Sequence, residues 1–218
     1  METLEIEENR EKKVFASMEG TISLTEEMFK RVFDIVLSAF GCLLWSPFFL
    51  VIWVLIKLED GGEAIFKQER IGYHGKPFMI YKFRSMRVTA EQKGHPVLCH
   101  EGDERLTKVG KFIRQHHFDE LPQLWNILKG DMSFVGPRPE RKYFIDQISA
   151  INPDYYLLYQ LRPGVFSDAT LYNGYTDTME KMLHRLEMDL DYLKHRSFGL
   201  DLKIIFKTVF FILSGKKF

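Results

Sequence analysis

Residues 30–57 read KRVFDIVLSAFGCLLWSPFFLVIWVLIK, and this stretch decides what kind of fold the chain can adopt. From Ile35 to Ile56 there are 22 consecutive residues without a charge, and a membrane-spanning helix needs roughly 20. The run begins too late, is too long and lacks an obvious small-residue cleavage site, which argues against a secretory signal. Ser46-Pro47 falls at its middle. Proline removes a backbone donor and clashes with the carbonyl four residues back, so it kinks or breaks a helix. A serine hydroxyl beside it can satisfy a freed backbone group in an apolar medium. Cations flank both ends: Lys30 and Arg31 before the run, Lys57, Lys67 and Arg70 after it. Both flanks therefore belong on the cytoplasmic side. One crossing cannot satisfy both. Two half-helices of about eleven residues, each rising roughly 16 Å, can enter and leave by the same face. The expectation is a re-entrant broken helix over 29–57, with a kinked crossing as the alternative and a buried core helix disfavoured by length.

Outward from this run, residues 1–28 form an acidic, weakly periodic N-terminal extension, and 58–218 form the remaining domain. The first thirty residues hold eight acids and four bases, against 30 of each in the whole 218-residue chain. Zero net charge argues against a nucleic-acid binder driven by bulk charge. At 45% apolar and 28% charged residues, the chain is too hydrophobic to be wholly disordered. Two cysteines, Cys42 and Cys99, make no disulfide scaffold and read as reduced thiols.

Ala64 to Arg70 reads as a strand, Gly72 to Pro77 as a turn, and Phe78 to Arg84 as a second strand. Alternation puts Lys82 and Arg84 on one face with Phe78 and Ile80. Two cations so spaced could hold a diphosphate, although a solvated strand face explains the spacing alone. Leu121, Leu124, Trp125 and Leu128 predict an amphipathic helix over 120–129, with Pro122 in its first turn and Gly130 at its end. Asp119 and Glu120 then lie at its start, where the helix dipole stabilises negative charge. For Asp119 the plain alternative is an N-cap.

The neighbourhood adds cations. Arg105, Lys108, Lys111 and Arg114 recur every three residues on a preceding segment that reads as helical. Downstream, Gly130 to Pro139 holds Arg138 between two prolines, which restricts it to extended conformations. A stiff loop offering one guanidinium suits phosphate. Adjacent carboxylates facing several cations suit a metal ion with phosphates, and an ionised Asp could attack phosphorus. These residues alone imply a membrane-associated phosphate-binding protein.

The combination resembles the bacterial sugar transferases, specifically small monotopic polyprenyl-phosphate phosphoglycosyl transferases. The resemblance rests on Lys30 to Asp34 leading into the run with Ser46-Pro47; on Phe66 to Gly72; on Tyr81 to Met86; on Phe118 to Asn126; on Gly130 to Pro139; on Leu161-Arg162-Pro163-Gly164; and, more weakly, on Leu200 to Lys203. It implies a mainly α fold with a short β-hairpin (α+β), a membrane-associated N-terminal helix and amphipathic interfacial helices. It implies transfer of a phosphosugar from a UDP-sugar to polyprenyl (undecaprenyl) phosphate, releasing UMP through an aspartyl intermediate and starting surface glycan assembly. Asp119 matches the nucleophile and Glu120 the second acid of the family's dyad, with Mg²⁺ as cofactor held by the pair. Lys82, Arg84, Arg114 and Arg138 match phosphate- and nucleotide-binding positions. Asp131, Asp189 and Asp201 are further acidic candidates, the last two twelve residues apart as in the family. Implied partners are the two substrates and membrane lipids, with a second copy or glycan-assembly enzymes allowed. The implied location is the bacterial inner membrane, catalytic domain facing the cytoplasm. After Gly164 the text Val165 to Thr170 departs from the family pattern, so donor preference does not carry over. A metal-dependent diphosphate hydrolase and a non-enzymatic membrane scaffold remain the alternatives.

Farther on, Met179, Met182, Leu183, Leu186, Leu190 and Leu193 predict a helix whose methionines pack in a core. Leu200 to Ile212 predicts a last helix that could lie in the headgroup region or pack on the domain. His95, Cys99 and His100 have metal-like spacing but read as incidental, and His116-His117 carry no assigned role.

Overall fold

The computed structural model describes residues 23–90, 98, 100, 102–174 and 176–214. Helix α1 (Leu24–Asp60) runs 37 residues. It begins with a capping box: the Ser23 side chain accepts from the Glu26 amide, and Glu26 reaches back to the Ser23 amide. Most of the extension reading for 1–28 lies outside the described residues, and the helix starts within it.

The helix passes through Ser46-Pro47 without interruption, where the sequence reading expects two half-helices. The physical reason is local. Pro47 cannot donate to the Leu43 carbonyl, and the Ser46 hydroxyl donates to that same oxygen at 2.8 Å, so no carbonyl is orphaned. By length and composition α1 is able to cross a membrane, and only 17% of its most apolar window is buried.

Both ends of α1 are fastened to one body. At the first, Arg31 donates to the carbonyls of Ile127 and Leu128 (2.6 and 2.9 Å). Lys30 donates to the Val135 carbonyl and pairs with Asp201, and Asp34 accepts from the Phe134 amide at 3.2 Å. At the other, Ile52 and Ile56 pack with Ala64, Phe83 and Ile113 in a buried cluster. There Glu59 accepts from the Lys108 amide at 2.7 Å, and Asp60 pairs with Arg84.

The antiparallel hairpin follows, β1 (Ile65–Ile71) against β2 (Pro77–Phe83), with Ile65 opposite Phe83 and Arg70 opposite Phe78. Helix α2 (Lys108–Gln115) comes next, capped by Thr107. The turn Phe118–Glu120 is 3-10, and α3 (Gln123–Lys129) begins after Pro122. Asp119 therefore caps no helix, because its turn is a separate element that ends before α3. Two three-residue strands, β3 (Ser133–Val135) and β4 (Gly164–Phe166), pair in parallel. Such short strands carry no readable alternation, and the sequence reading missed them. They meet at glycine: a Cβ on Gly164 would stand 2.1 Å from the Gly136 amide nitrogen, so neither position tolerates a side chain.

The rest is helical: α4 (Lys142–Ile151), a 3-10 stretch (Pro153–Gln160), α5 (Asp168–Tyr172), α6 (Met179–His195) and α7 (Phe198–Leu213). One core gathers Ile80, Ile127, Met132, Phe134, Leu193 and Ile204. Another sets Phe144, Ile145 and Ile148 against Met182 and Leu186. Phe206, Val209 and Phe210 of α7 stay exposed, so this helix packs by one side and offers an apolar stripe on the other.

Candidate active site

Asn126, fully buried on α3, fixes the site's geometry. Its amide nitrogen donates to the Met79 carbonyl (2.7 Å) and its amide oxygen accepts from the Tyr81 amide (3.0 Å). These bonds dock α3 on the edge of β2. The basic face of β2 and the acidic turn before α3 are thereby set side by side. Lys82 donates to Glu120 at 2.6 Å. Arg138, carried on the stiff loop after β3, donates to the same Glu120 oxygen at 3.0 Å.

These residues line a cleft of 850 Å³ together with Arg114, His117 and Asp119. Nine Lys and Arg residues line it against four acids. Lys82 and Arg84 point into it as alternation predicts, but Arg84 is also paired with Asp60 at the end of α1.

The two acids of the dyad differ sharply. Glu120 is clamped by two cations. Burial opposes its ionisation, yet Lys82 and Arg138 outweigh burial and hold its carboxyl well below the usual range. No hydrogen bond or ion pair engages the Asp119 carboxylate among the described residues. Burial and the neighbouring Glu120 charge push its pKa up to about 6, against Lys82, Arg114 and Arg138. The result is a carboxylate ionised at neutral pH, unengaged, and facing a cationic cleft. That is what a nucleophile or a cation ligand requires.

Among the described residues no group of three or more His, Cys, Asp and Glu could hold a metal ion. A divalent cation here would share the free Asp119 carboxylate with the phosphates of a substrate. Mg²⁺ suits that arrangement, because it is usually bound through one or two carboxylates plus substrate phosphates and water.

The other acidic candidates stand apart. Asp131 accepts from Lys129 at 2.9 Å and from Asn126 at 3.3 Å. Asp201 pairs with Lys30 and accepts from the Tyr192 hydroxyl at 2.6 Å, which latches α1 to α7. Asp189 is buried on α6 and its pKa is pushed up to about 7, chiefly by burial. None of the three lines the cleft.

Several lining residues carried no role in the sequence reading. Glu140 accepts from Arg70 at 3.0 Å and from Arg185 at 2.6 Å, and Arg185 also donates to Thr176 at 2.9 Å. The hairpin register places Arg70, Gln68 and Ile80 on the Lys82 face, so alternation finds Arg70 once the register is known. His117 takes a left-handed backbone (φ 57°), which no sequence signal announces.

A family model described as bacterial sugar transferase matches residues 25–215. This chain belongs to the bacterial sugar transferase family. Among the relatives of this sugar transferase is the Aeromonas hydrophila UDP-N-acetylgalactosamine-undecaprenyl-phosphate N-acetylgalactosaminephosphotransferase. It is 44% identical over 186 residues, which is 85% of this chain and 44% of the relative. A UDP-glucose:undecaprenyl-phosphate glucose-1-phosphate transferase of Klebsiella pneumoniae is 44% identical over 84% of this chain and 40% of its own length. A protein of the same name from Caulobacter vibrioides is 43% identical over 83% of this chain and 68% of its own. The sugar transferase chain thus spans less than half the length of the first two relatives. Asp119, Glu120, Lys82, Arg114 and Arg138 all lie inside the matched region.

Proposed function

We propose that the protein transfers a sugar 1-phosphate from a UDP-sugar to polyprenyl phosphate at the cytoplasmic face of the bacterial inner membrane. The observation that carries this reading is the division of labour in the dyad, with Glu120 saturated by cations and Asp119 left open to the cleft. In the first step an Asp119 oxygen attacks the β-phosphorus of the donor. The phosphoanhydride bond breaks and UMP leaves, so the sugar phosphate remains on the carboxylate. In the second step a phosphate oxygen of the acceptor attacks the same phosphorus. The Asp119–phosphorus bond breaks, and polyprenyl-diphosphate-sugar forms.

Lys82, Arg114 and Arg138 bind and orient the phosphates, and their fixed charge stabilises the transition state more than the same groups would in water. Glu120 holds Lys82 and Arg138 in place. Mg²⁺, when bound, would neutralise the donor diphosphate. Relatives carry N-acetylgalactosamine or glucose in their names, so the shared fold leaves the sugar open.

The topology reading rests on the fastening of α1. Lys30, Arg31 and Asp34 at one end and Glu59 and Asp60 at the other bind the same folded body, which cannot lie on two sides of a bilayer. This supports a helix that stays at one face of the bilayer, its exposed apolar side toward the lipid, and does not cross.

The test incubates the full chain with Mg²⁺, undecaprenyl phosphate and a panel of UDP-sugars, with Asp119→Asn alongside. UMP that depends on both the acceptor and Asp119 is the expected result. UDP would mean direct glycosyl transfer, UMP without lipid product would mean hydrolysis, and no release from any donor would favour a scaffold.

A further inference from the structure

Two cavities share the β-hairpin. On the face opposite Lys82 lies an apolar groove of 640 Å³, walled by Cys42, Leu50 and Trp53 of α1, Tyr81 and Phe83 of β2, and Trp125 of α3. Ile65 and Phe83, paired across the hairpin, line both this groove and the cationic cleft. The groove's volume lies within the roughly 300–1,000 Å³ typical of ligand pockets.

We propose that this groove seats the first isoprene units of the acceptor, so that its phosphate rounds the Ile65–Phe83 pair and enters the cleft at Asp119. The inference rests on the transferase reading and adds a location for the prenyl chain. Three observations select this occupant. The walls are apolar apart from one thiol and one phenol, and a nucleotide-sugar has nothing to place against them. Leu50, Trp53 and Trp125 remain 62%, 43% and 53% exposed on the side where α1 presents its apolar surface, so a chain can enter from the bilayer. Tryptophans at such a boundary match the apolar-below, polar-above setting of an interface. Finally, the groove adjoins a cleft with excess positive charge, which complements a single chain ending in a phosphate.

Leu50→Trp adds bulk to the groove from an exposed position and leaves the cores untouched. It should raise the KM for polyprenyl phosphate at least ~10-fold, the effect of excluding about two buried methylenes, with the donor KM within about twofold of wild type. Trp125→Ala, also exposed, should raise the acceptor KM by removing one wall. Across prenyl phosphates of increasing length, the wild-type KM should fall and then level once the groove is filled, and Leu50→Trp should flatten that dependence. Equal acceptor KM values in wild type and Leu50→Trp, or no length dependence in wild type, would overturn the proposal.

A binding arm needs no turnover. In a Cys99→Ser background Cys42 is the only thiol, and N-ethylmaleimide labelling of the detergent-solubilised chain reports occupancy. Undecaprenyl phosphate should slow labelling, while phosphatidylglycerol at the same mole fraction should not. Equal protection by both would assign the groove to bilayer lipid and sink the inference. Protection by undecaprenyl phosphate without UMP release from any donor would leave the groove standing and remove the transferase reading.

Discussion

Two places in this molecule are built alike and differ in one respect. In the first, Glu120 is held by Lys82 and Arg138 while Asp119 next to it is unengaged, with a pKa pushed up to about 6. In the second, Glu140 is held by Arg70 and Arg185 while Asp189 nearby is unengaged among the described residues, with a pKa pushed up to about 7. Burial raises both aspartates, a clamped glutamate adds to both, and arginines oppose both. Only Asp119 lines the cleft. Electrostatic perturbation therefore marks both carboxylates and selects neither; access to the cation-lined cleft selects one. A displaced titration is evidence of chemistry only when a substrate can reach the group.

The largest effect should come from Asp119→Asn. Turnover should fall by at least ~10³-fold, as for loss of a nucleophile, with thermal stability undiminished because no hydrogen bond or ion pair engages the Asp119 carboxylate among the described residues. UMP release and a melting curve on one preparation check both halves. Asp189→Asn, as the contrast, should keep most of the activity. Similar losses in the two variants would erase the distinction between the two places.

Arg138→Ala should lower kcat/KM by ~10²-fold or more, within the range for removing a preorganised charge donor. It should also sharpen the comparison through pH. In wild type, kcat/KM should fall as pH drops through about 6, where Asp119 gains its proton. Removing a cation favours the protonated carboxyl, so this acidic limb should move to higher pH in the variant. A limb that stays in place would detach it from Asp119.

Asp189 should reveal itself in stability. Its folded pKa of about 7 exceeds the ordinary value of 3.8. The associated stability is present below about pH 4 and is lost as pH rises toward 7. Asp189→Asn removes that decline, so the variant's melting temperature should gain on wild type with rising pH and level off above 7. The smallest effect should come from Glu59→Ala, which strips an acceptor from the first amides of α2. A cost of ~0.5–2 kcal/mol, as for other N-terminal caps, is expected from denaturant unfolding.

The apolar run, the hairpin and the long helices were legible in the sequence because length and periodicity write them directly. The passage of α1 through Pro47 was not. It depends on one rotamer of Ser46 supplying the bond that proline withholds, and composition does not record rotamers. The β3–β4 pair was invisible because each strand is three residues long and its partner lies some thirty residues away. At the site, Asp119, Glu120, Lys82, Arg114 and Arg138 could be gathered from four separate stretches because recognisable motifs carry them. Arg70, Glu140 and Arg185 could not. Their association depends on the hairpin register and on where α6 lands, both set by tertiary packing. Asp201 looked like an active-site acid by spacing, whereas the structure commits it to Lys30, and no local pattern separates a latch from a ligand.

The fastening of α1 at both ends bears on how this protein can be taken apart. A tethered enzyme can usually be cut from its anchor and studied as a free domain. Here the helix that is long and apolar enough to cross a membrane also contributes Ile52 and Ile56 to a core, Glu59 to the start of another helix, and Asp34 to the strand preceding the Arg138 loop. Trimming the chain at residue 60 would remove a wall of the building along with its foundation, so the apolar helix and the rest of the molecule stand or fall together.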